Sequence, residues 1–207
     1  MIDQDQSGTV SEAAANRVRA EAEFSAHFLR ARRVLWLIAA GLIGDRTLAD
    51  DVVQDAAVIA FQKYDQFTPG TSFTAWMGQV VRHVAMNTAR RENRRKSASL
   101  DGDTALTGSV LRCTDPGRVE LGPRGELPVE HSWFDDQVSR ALADVGEVAR
   151  ACLLLRSIES MEYSEISAVL SIPEGTAMSH VHRARRLMRE RLMASGWDVA
   201  TGRRGHA

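Results

Sequence analysis

Apolar residues recur at helical spacing along most of the chain, and this pattern predicts an all-α fold. In the first predicted helix, from about residue 20 to 40, they are Phe24, Phe28, Ala31, Leu35 and Ile38. Gly41 and Gly44 are expected to end that helix. Thr47 and Asp50 form a predicted capping box, from which a second helix runs to about Tyr64. The core positions predicted for the second helix are Leu48, Val52, Val53, Ala56, Ile59 and Ala60.

A turn at 67–71 precedes a third predicted helix, which runs from Phe73 to about Arg94 and ends in a basic run. Glycine, proline and acidic residues are frequent in 97–133, where no period is sustained. This acidic segment is expected to be a flexible linker. Helices resume near Phe134 and continue to residue 157. The chain is therefore expected to comprise a flexible tail (1–19), a helical domain (20–96), the linker (97–133), a second small helical domain (134–193) and a C-terminal tail (194–207).

The second half of the later domain has the pattern of a helix-turn-helix. A short helix carries Ile166, Val169 and Leu170 on one side and breaks before Pro173, which suits the first turn of the next helix. That next helix is basic around an apolar stripe of Ala177, Val181, Ala184, Leu187 and Met188. Such a helix can enter a DNA major groove. The alternatives are a helix that caps a bundle or lies on a membrane, but the short helix before it favours DNA.

Composition narrows the class of protein further. The 207 residues carry a formal net charge of -1, so nucleic-acid binding depends on local clusters of charge. Cys113 and Cys152 lack the spacing of a disulfide framework or a zinc site, which favours a cytoplasmic protein, with Cys152 in the core. The longest apolar run, 34–43, is too short for membrane insertion. No metal-ligand, cofactor or catalytic motif is recognisable, so neither a cofactor nor enzymatic activity is expected.

Two polar faces of the first domain each have two interpretations. Asp50, Asp51, Gln54 and Asp55 form either a solvated face near a helix N-terminus or a docking face for a basic partner. On the third helix, the residues expected to face the core are Trp76, Val80, Val84 and Ala85. The opposite face carries Arg82, His83, Met86, Asn87, Arg90 and Arg91. It is either a solvated helix end or a nucleic-acid surface, with arginines on phosphates and His83 and Asn87 at a base.

Taken together, these segments resemble the sigma-70 family of RNA polymerase sigma factors, in particular the small two-domain extracytoplasmic-function (ECF) type. The resemblance to region 2 covers about 20–96 and rests on ADDVVQDAAVIAFQKYDQF and on the segment from FTPGT to ENRR. The resemblance to region 4 covers 134–193, including the landmarks EGT and HRARR. It implies a protein that binds core RNA polymerase and directs it to promoter DNA. Small sigma factors of this type are often held inactive by an anti-sigma factor, which would be a further partner.

The resemblance also implies a role for each surface. The residues that correspond to the docking face for core polymerase are Asp50, Asp51, Gln54 and Asp55. Those that correspond to the reader of the minus-10 element are Phe67, Thr71, Ser72, Trp76, Arg82, His83, Asn87, Arg90 and Arg91. Those that correspond to the reader of the minus-35 element are Glu174, Gly175, Thr176, Met178, Ser179, His180, His182, Arg183, Arg185 and Arg186. The acidic linker is expected to run near the polymerase active centre.

Several residues depart from the family pattern. His83 stands where many relatives have Asn, and Ser160 replaces the usual glycine between two helices. Met178 and His180 replace two expected cations, which predicts a weaker salt dependence of DNA binding and favours apolar contact with a thymine methyl. Two other functions remain open. One is a stand-alone helix-turn-helix transcription regulator, which leaves the acidic face unexplained; the other is a sigma-like interaction protein that has lost promoter reading.

Overall fold

The computed structural model describes the backbone of residues 6–98, 136–198 and 203–204, and it confirms the all-α class. The helices are α1 (Gln6–Ile43), α2 (Arg46–Gln62), α3 (Phe73–Ala98), α4 (Asp136–Ala143), α5 (Glu147–Ile158), α6 (Tyr163–Leu170) and α7 (Glu174–Ala194), with a 3-10 turn at Tyr64–Gln66. Two short strands, β1 (Trp197–Asp198) and β2 (Arg203–Arg204), pair antiparallel. Residues 97–98 belong to α3. The rest of the predicted linker, including Cys113, lies outside the described residues.

Helices α1, α2 and α3 form one bundle around an apolar core. The fully buried side chains at its centre include Leu35, Ile38, Val52, Met77 and Val81. One end of the bundle is filled by aromatic rings that contact one another edge to face or stacked, namely Phe24, Phe28, Phe61, Tyr64, Phe67, Phe73 and Trp76. Aromatic pairs at these separations add stability beyond the area that they bury. The turn that leads into α3 therefore rests on a rigid support.

Helix α1 is longer than predicted at both ends. It begins at Gln6, so most of the predicted flexible tail is helical, and it continues through Gly41 to Ile43. Arg17–Glu21 and Arg19–Glu23 each form an ion pair across one turn of α1, among exposed residues, and such pairs support the helix locally. Gly44, with φ of +76°, ends the helix instead of Gly41. The expectation that Gly41 ends α1 was therefore wrong.

The start and phase of the next two helices also differ from the prediction. Asp45, not Thr47, caps α2: its Oδ1 accepts hydrogen bonds from the backbone N–H of Thr47 (2.9 Å) and of Leu48 (3.2 Å). Ile59, predicted to be in the core, is 36% exposed. On α3 the innermost side chains are Met77, Val81, Val84 and Ala85, whereas Trp76 and Val80 are half-buried. At the start of α3 the buried face is thus shifted by about one residue relative to the predicted one.

Helices α4 to α7 form the second half of the fold and confirm the predicted helix-turn-helix. Ile166, Val169 and Leu170 of α6 are buried, as are Ala177, Val181 and Ala184 of α7. Pro173 is the N-cap residue of α7, one position before the predicted first turn. Cys152 is fully buried in α5, and burial raises the pKa of its thiol to about 12. It is the small core residue that was predicted, and it is uncharged at neutral pH.

The two halves pack directly on each other. Helix α1 contacts α5, and α3 contacts α6, so that one apolar core runs through both halves. Gly41 lies so close to α5 that a Cβ atom there would be 2.4 Å from the Cα of Ala151. This close approach explains why α1 has glycine at a helical position where an alanine is intrinsically preferred. Position 41 is therefore a packing site and not a helix end.

Ser160 adopts a left-handed backbone conformation (φ +55°) between α5 and α6, at the position where the sequence resemblance led us to expect glycine. We expect Ser160→Gly to raise the free energy of unfolding by up to about 1 kcal/mol, because this conformation strains residues with a Cβ atom. Ser157→Gly is the matched control. Since Ser157 is exposed and helical, that change is expected to lower stability by about 0.5 kcal/mol. Urea unfolding measures both; a loss of stability in Ser160→Gly would contradict the strain.

Candidate nucleic-acid and protein interfaces

Three of the four polar residues predicted to form a face of α2 are exposed, and the fourth is half-buried. Asp51, Gln54 and Asp55 are exposed on the side of α2 that faces away from the core. Asp50 is half-buried, and burial raises the pKa of its carboxyl, against the opposing influence of Arg32 and of a hydrogen bond from the Trp36 indole. The side chain of Asp50 thus helps to join α2 to α1. The surface open to a partner is formed by the other three residues.

Two apolar side chains extend this acidic face, a feature that sequence reasoning missed. Val58 is 60% exposed and Ile59 is 36% exposed. They follow Asp55 by three and four residues, so they lie on the same side of the helix. Ile59 was predicted to be a core residue because of its helical spacing from the other apolar residues of α2. That prediction was wrong because a single apolar residue cannot be assigned to core or surface from its type alone. We refer to Asp51, Gln54, Asp55, Val58 and Ile59 as the α2 docking face.

The turn before α3 is anchored by Phe67, which is 8% exposed. Its ring lies 5.4 Å from that of Trp76 and 5.5 Å from that of Phe73, measured between ring centroids. The exposed part of the turn is formed by Thr68 to Ser72. Within it, the Thr71 hydroxyl donates to the Thr68 carbonyl (2.7 Å), which shapes the turn locally. The structure therefore places Phe67 beneath the surface and Thr71 and Ser72 on it.

The polar face of α3 combines a paired His and Asn with a run of cations. Asn87 Nδ2 lies 3.1 Å from His83 Nε2, at hydrogen-bonding distance. An amide N–H donates, so His83 accepts through Nε2 and carries its proton on Nδ1. Arg90, Arg91 and Arg94 are exposed beyond this pair and line a concave surface together with Asn87. Arg82 is half-buried at the edge of the face. Exposed cations beside polar groups that can donate and accept hydrogen bonds suit a nucleic-acid surface.

The outward face of α7 is open along most of its length. The exposed members of the predicted set are Glu174, Gly175, Met178, Ser179, His182, Arg183, Arg185 and Arg186, whereas Thr176 and His180 are half-buried. Met178 is 50% exposed near the N-terminal end, where a recognition helix contacts bases. Burial lowers the pKa of His180, and Arg183 lowers it further. His180 therefore adds no positive charge to this face at neutral pH.

Comparison with protein families identifies both halves of the chain. Residues 27–95 match the family model "Sigma-70 region 2", and residues 135–188 match "Sigma-70, region 4". The chain belongs to the sigma-70 family. The first match spans α1 to α3 with the α2 docking face, and the second spans α4 to α7 up to Met188. The family resemblance predicted from sequence is thus confirmed in both domains, in the predicted order.

Curated relatives show that the chain is of the ECF type. It is 25% identical over 166 residues to the ECF RNA polymerase sigma factor SigE of Mycolicibacterium smegmatis, a match that covers 80% of this chain and 60% of that protein. It is 26% identical over 140 residues to the ECF RNA polymerase sigma-E factor of Escherichia coli K12, covering 65% of this chain and 69% of the relative.

Solved structures share the fold. The sigma factor RpoE of Bartonella quintana, crystallised with the anti-sigma factor NepR, is 23% identical with a TM-score of 0.60. The alignment covers 83% of this chain and 97% of that one. CnrH, in complex with the cytosolic domain of CnrY, is 21% identical with a TM-score of 0.55, covering 86% of this chain and 95% of that one. The arrangement of seven helices described above is therefore one that sigma factors adopt.

Two further observations concern the described part of the chain. None of its helices combines the length and apolar character needed to cross a bilayer. Within the same residues, His, Cys, Asp and Glu side chains form no group of three or more that could hold a metal ion.

The raised pKa of Asp50 predicts a pH-dependent term in stability. Because its folded pKa lies above the ordinary value of 3.8, this carboxyl favours folding most when protonated. The contribution is lost as pH rises through the folded pKa. Asp50→Asn keeps a neutral acceptor for Trp36 and removes this loss. We therefore expect the unfolding free energy of Asp50→Asn to rise relative to that of the unmodified protein as the pH increases from the ordinary carboxyl pKa of 3.8 through the raised pKa of Asp50, measured by urea unfolding. A shift in the opposite direction would exclude the burial effect.

Proposed function

We propose that this protein is an ECF-type RNA polymerase sigma factor that binds core polymerase, directs it to specific promoters and supports opening of the minus-10 duplex. The observation that carries the proposal is the presence of three exposed surfaces on the region 2 and region 4 frame: the α2 docking face, the basic face of α3 and the outward face of α7. A stand-alone helix-turn-helix regulator would use α7 alone. It would leave the α2 docking face and the α3 face without a role.

Core polymerase would be held by the α2 docking face. Asp51, Gln54 and Asp55 present two carboxylates and an amide to solvent, which suits a basic partner surface. Val58 and Ile59 add apolar contact area next to the charges, as in interfaces whose centre excludes water. Asp50 would act indirectly, by joining α2 to Trp36 of α1 so that the face is presented in a fixed orientation.

The minus-10 element would be read by the turn before α3 and by the polar face of α3. Thr71 and Ser72 offer hydroxyls at the surface, and the buried ring of Phe67 would hold the turn in place. His83 and Asn87 present the imidazole Nδ1–H donor and the amide oxygen acceptor to a base, because their other polar atoms are bonded to each other. Arg82, Arg90 and Arg91 would contact phosphates, while Trp76 supports the turn from within.

The minus-35 element would be read by α7 in the major groove. The residues placed toward DNA are Glu174, Gly175, Thr176, Met178, Ser179, His180, His182, Arg183, Arg185 and Arg186. Met178 is the apolar member and suits a thymine methyl group. Arg183 donates through Nε to the Ser179 carbonyl (3.3 Å), which orients its guanidinium along the helix.

A protein with these surfaces acts through its partners. We infer that it has no catalytic activity of its own, that it needs no cofactor, and that it works in the cytoplasm, where polymerase and promoter DNA are found. The solved relatives bound to NepR and CnrY suggest an anti-sigma factor as a further partner.

Transcription by core polymerase supplemented with the purified protein tests the proposal. We expect transcripts from promoters selected out of a random DNA pool. Asp51→Arg is expected to weaken core binding at least about tenfold, since reversal of an interfacial charge costs several kcal/mol. Asp65→Arg makes the same change at an exposed site outside the α2 docking face and should leave binding unchanged. Equal losses in both variants would remove the docking assignment, and a complete absence of promoter-dependent transcripts would remove the function.

Met178→Arg tests the assignment of the α7 face. A new cation at this exposed site is expected to steepen the slope of log affinity against log salt by about one unit, measured on a selected promoter. Met193→Arg is the matched control, because Met193 is 63% exposed on the same helix but far from its N-terminal end. If both substitutions changed the slope equally, the contact would be non-specific and α7 would not be placed as proposed.

A further inference from the structure

The exposed turn before α3 is held at both of its ends by buried aromatic rings. Phe67 precedes the exposed residues 68–72 and is 8% exposed, and Phe73 follows them and is 6% exposed. The centroids of the two rings lie 5.5 Å apart, at an interplanar angle of 84°. Between them, Gly70 has φ of +87°, and a Cβ atom there would meet no described atom within 4 Å. The tip of the turn projects from the bundle, so its position depends on the two anchoring rings.

His27 of α1 contacts both anchoring rings. Its ring is stacked on that of Phe73, with centroids 5.2 Å apart and planes inclined by 22°, and it lies 6.1 Å from the ring of Phe67 at 62°. Aromatic rings attract each other at such separations and angles. Tyr64 and Trp76 also contact both anchors, but each is three residues from one of them along the chain. His27 belongs to a different helix, and it therefore fixes the turn relative to α1.

Phe24, on the same side of α1, forms the centre of the aromatic cluster. The rings that it meets edge to face, with centroids 5.3–5.7 Å apart, are those of Phe61, Tyr64 and Phe73. Phe24 is 6% exposed, whereas His27 is half-buried at the margin of the cluster. Loss of the Phe24 ring would disturb the whole cluster. Loss of the His27 ring would remove one contact from each anchor and leave the other rings in place.

The two hydroxyls of the turn that face solvent each have one role already filled. Thr71 donates its hydroxyl proton to the Thr68 carbonyl (2.7 Å), and Ser72 Oγ accepts from the backbone N–H of Ala75 (3.2 Å). Thr71 therefore offers an acceptor to a partner, and Ser72 offers a donor. A base edge can bond to both only if their spacing and direction are kept, because a displacement of about 1 Å carries a hydroxyl beyond hydrogen-bonding range. Recognition by the turn thus depends on where its anchors lie.

We propose that His27 is a positioning residue for the minus-10 reader, and that it acts through Phe67 and Phe73 to hold the turn in the conformation that meets a base. The inference rests on the proposed function for the identity of the DNA element. Phosphate contacts from Arg90 and Arg91 do not depend on the turn, since these side chains project from the later part of α3. Loss of the His27 ring should therefore weaken base discrimination and leave binding to the DNA backbone unchanged.

His27→Ala removes the ring, and His27→Phe restores a ring of similar shape. The measurement compares the affinity of the holoenzyme for two labelled single strands by fluorescence anisotropy: one carries the minus-10 element of a selected promoter, and the other is a scrambled strand of the same composition. We expect the ratio of the two affinities to fall about threefold to tenfold in His27→Ala, the size of one aromatic ring pair. Affinity for the scrambled strand should not change. His27→Phe is expected to restore the ratio.

Phe28→Ala is the matched control, because Phe28 stacks on Phe24 in the same cluster (6.1 Å between centroids). This half-buried ring packs against the core, so its removal should lower the free energy of unfolding at least as much as His27→Ala while leaving the affinity ratio unchanged. An equal fall of the ratio in both variants would mean that the cluster acts only through stability, and it would overturn the role of His27. An unchanged ratio in His27→Ala, or an equal loss of affinity for both strands, would overturn it as well.

Hydrogen exchange in the free full-length protein tests the positioning without DNA. The backbone N–H of Thr71 donates to the Thr68 carbonyl (3.2 Å), and mass spectrometry reports its protection. We expect exchange at residues 68–72 to become at least about threefold faster in His27→Ala, because the turn opens locally more often, and to stay unchanged in His27→Phe. Unchanged exchange in His27→Ala would overturn the proposal. If the unmodified holoenzyme did not distinguish the two strands, the minus-10 function would fail, while the exchange result would still decide whether His27 holds the turn.

Discussion

The arrangement of the whole chain depends on where one buried cation obtains its hydrogen bonds. Arg150 cannot lose its charge at neutral pH, so its burial requires acceptors, and the carbonyls at the ends of α1 and α4 supply them. The Gly41 carbonyl needs a donor in turn, because it lies in the last turn of α1, where the helix supplies no backbone N–H for it. The hydrogen bond between Arg150 and the Gly41 carbonyl supplies both an acceptor for the cation and a donor for the carbonyl, and it joins region 4 to region 2 at the seam between the two halves.

The glycines near the end of α1 follow from the same interaction. Gly41 is helical but carries no side chain, since α5 approaches within contact distance of its backbone. Gly44 ends the helix at positive φ and leaves space for the guanidinium of Arg150. Glycine at both positions was visible in the sequence, but its usual meaning there, a helix end, applies to only one of them. The other meaning, close packing at Gly41, depends on Ala151 in the other half of the chain.

Features that depend on residues nearby in the sequence could be predicted, whereas features that depend on residues far along the chain could not. The helices, the break at Pro173 and the buried stripe of α7 depend on neighbours within a few turns, and the predictions for them agree with the structure. The acidic face was also predictable, because charged residues at helical spacing are expected on one exposed side of a helix. The cap at Asp45 is also local, since it involves only the backbone of Thr47 and Leu48, and the sequence pattern was misassigned to Thr47. The exposure of Ile59 and the burial of Phe67 depend on tertiary packing. The Arg150 seam depends on it entirely, and local patterns contain no signal for it.

The same packing also explains why the binding faces stay open in so compact an arrangement. The seam uses the end of α1, the turn after α4 and the buried side of α5. Asp51, Asp55, His83 and Met178 lie on other surfaces and are exposed. The contacts that join the halves and the side chains that face solvent are therefore separate sets. A partner that binds these faces would change how the halves are arranged only if it bound the rearranged halves better than the packed ones, which is the condition for any ligand to shift a conformational equilibrium.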